Sequence, residues 1–249
     1  MQDYNRPTVS GGGSSALVEA GISRIMRIHH WATARCTVVP ENCHLLFENF
    51  LYFRKLGYTR MAFVPGRCHL WKNSDIERFA TELLKIVEEL IIAFRYDIFI
   101  RVKCIHEYIE NRQNTTIDKN PCGAGRGMAL IDVHGGIWPC HRWNKEAFQT
   151  WKIGNIYESF DDKVRTQLLE GRTVITDECN TCSAKQICSG GCPCENLEIT
   201  GDPFSQHHNT CRISRIFVLA AQHLHDVLYK EQNPTFLKTY YEKEQDELR

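Results

Sequence analysis

Of the eight cysteines within ninety residues, seven fall at regular intervals. They are Cys122-x12-Gly135-x4-Cys140, then Cys179-x2-Cys182-x5-Cys188-x3-Cys192, then Cys211. Thiolates are soft ligands that suit iron–sulfur clusters or zinc and serve magnesium and calcium poorly. Seven is too many for one tetrahedral zinc and nearly enough for two four-thiolate clusters. Cys-x2-Cys alone does not separate the two metals, and a pair of zinc sites would also order such loops. Spacing over all seven positions favours iron.

Other chemistry-bearing residues read as structural. Cys36, Cys43 and Cys68 have no partner at ligand spacing and are expected to be small buried hydrophobes. The pairs His29-His30, His207-His208 and His223 with His225 read as polar surface, and Trp138, Trp143 and Trp151 as packing for a small cysteine-rich domain. Gly11-Gly12-Gly13 lacks both the preceding strand and the following Gly-Lys-Ser/Thr of a phosphate loop, so it reads as a turn before a helix.

The elements that must carry these residues follow from periodicity. A helix is expected from Ser14 to about Ile28, then a strand over Thr33–Val39. Glu41–Leu56 has apolar residues at helical spacing and Gly57 where a C-cap is wanted. Thr59–Val64 reads as a second strand. Ser74-Asp-Ile-Glu77 reads as a capping box before a helix with an apolar stripe from Ile76 to Leu90. Asp97–Cys104 reads as a third strand. Crossovers of this length imply parallel pairing, with helices packed outside a sheet.

From His106 the chain turns polar. Ala129–Val133 and Ile137–Pro139 read as a hairpin about His134-Gly135-Gly136, with Cys140 at its end. Thr176–Cys211 shows little periodicity, and bound metal is expected to supply the free energy that orders it. Arg212–Lys230 reads as a closing helix, followed by a charged tail from Glu242.

Thirty basic side chains balance thirty acidic ones, which gives no electrostatic case for nucleic acid or an anionic membrane. Charged residues interrupt every apolar run before it could span a bilayer. Met1–Pro7 lacks the apolar core of a signal peptide. A cytoplasmic protein with reduced, metal-binding cysteines is therefore expected.

The cysteine pattern resembles the SPASM domain of radical SAM peptide-modifying enzymes. Pro121-Cys-Gly-Ala-Gly125, Ile137-Trp-Pro-Cys-His-Arg142, Ile153-Gly-Asn-Ile156 and Ser189-Gly-Gly-Cys-Pro193 are similar to that family's phrasing. Asp3-Tyr-Asn-Arg-Pro7, Ala34-Arg-Cys-Thr-Val38 and Leu56-Gly57 resemble the latter half of its catalytic barrel. The resemblance runs from residue 1 to about residue 215. It implies an α/β fold: residues 1–108 as the C-terminal half of a radical SAM-like barrel, 109–215 as the SPASM domain, and 216–249 as a C-terminal helix and tail. The family's Cys-x3-Cys-x2-Cys triplet is absent from these 249 residues. The expectation is therefore the C-terminal part of a maturase, truncated or split, that does not cleave S-adenosylmethionine by itself.

The resemblance further implies two auxiliary 4Fe–4S clusters. Cys179, Cys182, Cys188 and Cys211 would hold the distal one, and Cys122, Cys140 and Cys192 the proximal one. The family's further upstream cysteine is replaced by the stretch Thr115–Asn120, so Cys104 or Cys194 would have to substitute, or one iron stays open. Arg35 lies where family members place an arginine near the S-adenosylmethionine carboxylate, a bidentate task that a guanidinium suits, although a salt bridge at the barrel rim would use it equally. His141 follows Cys140, where sulfatase-maturing relatives carry an Asp base; it is a candidate acid/base or a tuner of the cluster. The implied partners are a peptide or protein substrate and a separate N-terminal radical SAM half. Competing expectations are a non-catalytic peptide-docking or electron-transfer module, and a zinc-stabilised interaction domain.

Overall fold

The computed structural model describes residues 2–66, 69–112, 123–171, 177–185, 188 and 190–242. Cys68, Cys122 and the tail 243–249 lie outside them. The chain forms two compact units, one of residues 1–109 with 219–249 and one of residues 110–218.

In the first unit, helices α1 (Gln2–Asn5) and α2 (Ser15–Ile28) precede a parallel sheet built as strand, helix, strand, helix, strand. The elements are β1 (Thr33–Val38), α3 (Leu46–Lys55), β2 (Arg60–Pro65), α4 (Asn73–Arg95) and β3 (Arg101–Val102), followed at once by α5 (Lys103–Arg112). The sheet order is β1-β2-β3, with Thr33 opposite Arg60 and Val38 opposite Pro65. Along β1, Ala34 and Val38 are buried while Thr33, Arg35 and Thr37 are exposed, the alternation a pleat requires. Helix α4 buries Ile76, Phe79, Leu83, Ile86, Val87 and Leu90 along one stripe.

Four sequence expectations change in this unit. The α4 cap lies earlier than the Ser74–Glu77 pattern indicates. The helix starts at Asn73, and the carboxylate that accepts the backbone N–H of Lys72, at 3.0 Å, belongs to Asp75. The third strand shrinks to Arg101–Val102, because Asp97 turns the chain with φ of +59° and Ile105 and Ile109 are buried at helical spacing. His225 is not surface. It stacks on Tyr229 with ring centroids 5.4 Å apart, bonds the Tyr241 hydroxyl at 2.6 Å, and its side chain is only 12% exposed. Past the closing helix lies a further helix, whose cap is Asn233: its Oδ1 accepts from Phe236 N and its Nδ2 donates to the Phe94 carbonyl.

The second unit is built on a short antiparallel sheet of β4 (Leu130–Ile131), β5 (Gly136–Trp138) and β6 (Gly154–Asn155). The expected hairpin is present, and the third strand comes from the Ile153-Gly-Asn-Ile156 segment. Asp132 closes the hairpin turn by accepting from His134 N, Gly136 N and the Trp138 indole N–H at 2.8, 2.8 and 2.7 Å. Helices α6 (Asp162–Glu170), α7 (Asp177–Asn180) and α8 (Pro193–Thr200) follow, then α9 (His208–Lys230), whose residues from Leu219 onward belong to the first unit, as does the last helix, α10 (Pro234–Tyr240). The core of the second unit comprises Ala124, Trp138, Cys140, Trp143, Phe148, Leu168 and Cys194, with Trp151 and Cys192 packed against it. No helix among the described residues is long and apolar enough to cross a membrane.

Candidate metal centre

The second unit positions thiols in two groups. In the first, Cys179 lies in α7 and starts a tight turn: Cys182 N bonds the Cys179 carbonyl at 3.3 Å and Lys185 N the Cys182 carbonyl at 3.0 Å. Cys188 N bonds the Ala184 carbonyl at 2.8 Å, and Cys211 enters from the first turn of α9. The sulfurs accept backbone donors. Ala184 N points at Cys182 Sγ and Gly190 N at Cys188 Sγ, each at 3.4 Å. Gly190 and Gly191 both adopt positive φ (+85° and +79°), which turns successive amides toward one side. This explains the Gly-Gly between Cys188 and Cys192. A β-carbon on Gly191 would also lie 3.0 Å from Thr210 Cγ2.

Neighbouring sulfurs influence Cys188 and Cys211. Burial pushes Cys188 up, and the neighbouring Cys182 and Cys179 add to it. Burial also pushes Cys211 up to about 11, with Cys188, Cys179 and Cys182 contributing. Gathering thiolates without a cation is unfavourable, and a bound metal reverses that balance. One cation is already present: the Arg215 guanidinium, a helical turn beyond Cys211, donates to Cys182 and is itself held further protonated by it.

The second group joins the hairpin to α8. Cys192 is the N-cap of α8 and Cys194 its second residue. Arg142, two residues past Cys140, spans them. Its Nη1 lies 3.6 Å from Cys192 Sγ, and its carbonyl accepts the Cys194 thiol at 3.3 Å. Its Nη2 donates to Glu198 at 3.3 Å, and Glu198 also pairs with Lys145. Burial pushes Cys194 up to about 12, with Cys192 and Cys140 also raising it. Cys140 is 8% exposed.

The remaining sequence candidates are placed elsewhere or outside. Cys122 lies outside the described residues. Cys104 belongs to the first unit, where burial pushes its thiol up to about 12 and the Phe63 backbone bonds it. Cys43 is buried, with its thiol donating to the Pro40 carbonyl, as expected of a core cysteine. Arg35 is exposed on β1 opposite Ala62, and His141 is exposed beside Cys140. Among the described residues, no three His, Cys, Asp or Glu side chains converge closely enough to enclose a single metal ion.

The backbone resembles known structures. Native anSMEcpe with bound AdoMet and Cp18Cys peptide matches with a TM-score of 0.68 at 14% identity, over 92% of this chain and 66% of that one. Hexahistidine-tagged anSMEcpe with bound AdoMet matches with 0.67 at 14% identity, over 96% and 66%. Native anSMEcpe with bound AdoMet and Kp18Cys peptide gives 0.63 at 13%, over 94% and 66%. The shared property is the fold. anSMEcpe is a SPASM-domain radical SAM enzyme, and this chain spans 66% of its length. No family model and no curated protein matches the sequence.

Three residues at the thiol groups carry no sequence signal strong enough to single them out. Arg215 and Asn196 each lie four positions after a cysteine, at one helical turn from Cys211 and Cys192. Arg142 lies within the Ile137–Arg142 segment, two positions after Cys140. Asn196 is 1% exposed, and its Nδ2 donates to the Gly190 and Pro203 carbonyls at 3.0 and 3.1 Å. It thereby ties the Cys188–Cys192 loop to the segment leading to Cys211.

Proposed function

We propose that this chain is the cluster-binding part of a radical SAM peptide- or protein-modifying enzyme, holding two 4Fe–4S clusters on its second unit. The observation that carries this reading is the influence of Cys179 and Cys182 on Cys188 and Cys211, with N–H donors aimed at the sulfurs of Cys182 and Cys188. Donors of that kind suit sulfur that carries negative charge, as cluster thiolates do. Cys122, Cys140 and Cys192 would hold the second cluster. Cys194, in the same packed core, is a better placed fourth candidate than Cys104 of the first unit.

Such clusters take up and release single electrons when bound. The chain's own contribution is to hold them. Gly190 and Gly191 aim amides at sulfur, Asn196 fixes the loop between the groups, and Arg215 and Arg142 place positive charge beside them. Trp138 and Trp143 keep water from the side of Cys140. Exposed His141 could take or give a proton next to the second cluster, and Arg35 could bind the S-adenosylmethionine carboxylate. In this reading residues 1–108 form the latter half of the radical SAM barrel, 109–215 the SPASM domain and 216–249 the closing helix and tail, in a cytoplasmic enzyme. Its substrate is a peptide or protein side chain, by analogy with the peptide-bound neighbours. S-adenosylmethionine would bind where a segment with Cys-x3-Cys-x2-Cys, upstream or on a separate chain, completes the barrel.

The test is ligand-group deletion in anaerobically reconstituted protein. Cys179→Ser with Cys182→Ser should remove about half of the iron and sulfide, and Cys140→Ser with Cys192→Ser the other half. The unaltered chain should form no 5′-deoxyadenosine under reducing conditions. Zinc without sulfide in the unaltered chain overturns the proposal.

A further inference from the structure

The second thiol group carries a charged device that packing alone does not require. Arg142 holds α8 at three points: Nη1 to Cys192 Sγ at 3.6 Å, Nη2 to Glu198 at 3.3 Å, and its carbonyl to the Cys194 thiol at 3.3 Å. The Arg142 side chain is 21% exposed and that of Glu198 27%, so solvent screens this pair only in part. Lys145 pairs with the same carboxylate and lies over the Phe148 ring, 5.5 Å from its centroid. A guanidinium is thus aimed at one thiol and drawn back by one carboxylate, which a second cation holds.

We infer that Arg142 and Glu198 set the reduction potential of the cluster held through Cys192, with opposite signs. The inference rests on the iron–sulfur reading above. A cluster gains one negative charge when it takes up one electron. A positive N–H donor on a ligand sulfur stabilises the reduced form more than the oxidised form, and so raises the potential. Glu198 faces the same guanidinium, offsets its charge and restrains its approach to sulfur, and so lowers the potential. Arg142 and Glu198 are tuning residues, because each acts through the Cys192 sulfur. A purely structural clamp on α8 predicts something different: loss of either partner loosens the same site in the same way.

The experiment is a potentiometric titration followed by electron paramagnetic resonance on the anaerobically reconstituted full chain. The electron comes from dithionite through mediator dyes. R142Q is expected to lower the reduction equilibrium constant of one cluster about tenfold, the worth of one hydrogen bond to a charged group. E198Q should raise that constant for the same cluster. R142K, which keeps the charge, should return it toward the parent value. With Cys140→Ser and Cys192→Ser also present, R142Q should leave the remaining cluster unchanged. Equal potentials in the parent, R142Q and E198Q overturn the inference, and so does a shift of the same sign in both variants. A parent chain with no iron and sulfide to titrate overturns the underlying reading instead.

Discussion

Asn196 is expected to be costly to remove from the second unit. It is 1% exposed, and its Nδ2 donates to two backbone carbonyls, Gly190 at 3.0 Å and Pro203 at 3.1 Å. Asn196→Ala leaves both without that donor, and a buried polar group stranded in this way costs about 1–3 kcal/mol. Pro203 is buried and should lose the full amount, whereas Gly190 is half-buried and regains some from water. The total is about 2–4 kcal/mol. With a urea dependence of about 1–3 kcal/mol per molar, the unfolding midpoint should fall by about 1 M or more. Tryptophan fluorescence is a suitable probe, because Trp138 and Trp143 are fully buried in the same unit. Asn196→Asp is nearly isosteric but cannot donate, so it should lose at least as much. Midpoints unchanged in both variants would refute the claim that Asn196 ties the loops together.

Gly154 has φ of +148°, and a β-carbon there would lie 2.6 Å from the Ser159 carbonyl oxygen; Gly154→Ala should cost about 3 kcal/mol or more in the same assay, and a near-neutral result would contradict the turn geometry. Hydrogen bonds from Trp138, Gly136 and His134 hold the Asp132 carboxyl below its ordinary 3.8. Its stabilising effect is therefore present above that pH and lost as the pH falls through the lowered value, and Trp138→Phe should flatten the acid limb of the pH–stability curve. Burial raises Cys104 from 9.0 to about 12. Its contribution is full below pH 9 and disappears as the pH climbs toward 12, so Cys104→Ala should reduce the alkaline loss of stability, by at most about 1.4 kcal/mol per pH unit; an unchanged alkaline slope would place its thiol in contact with water.

The turn from Cys179 to Cys182 and the Gly190-Gly191 turn were legible because their residues lie within a few positions of one another. The strand–helix alternation was legible for the same reason, since β1, β2 and the α4 stripe each carry their period in consecutive residues. Sequence reasoning failed where tertiary context decides. Asp97–Cys104 has strand composition, but a positive φ at Asp97 and the burial of Ile105 and Ile109 give most of it to a turn and to α5. β6 is two residues long and exists only because β5 offers it an edge. Thr176–Cys211 shows no period, yet it carries α7 and α8, with a Pro193 start and a Gly201 stop at α8. Arg142, Asn196, Glu198 and Arg215 matter through partners as many as fifty-six positions away, as in Arg142–Glu198, and no pattern in a single sequence marks such pairs.

On the proposed reading, the second unit binds iron–sulfur clusters. The direct measurement is iron and acid-labile sulfide content, with a visible spectrum, on anaerobically purified and reconstituted protein. About eight iron and eight sulfide per chain, with a broad visible absorption that bleaches on reduction, are predicted. Zinc bound stoichiometrically without sulfide or colour would contradict the account.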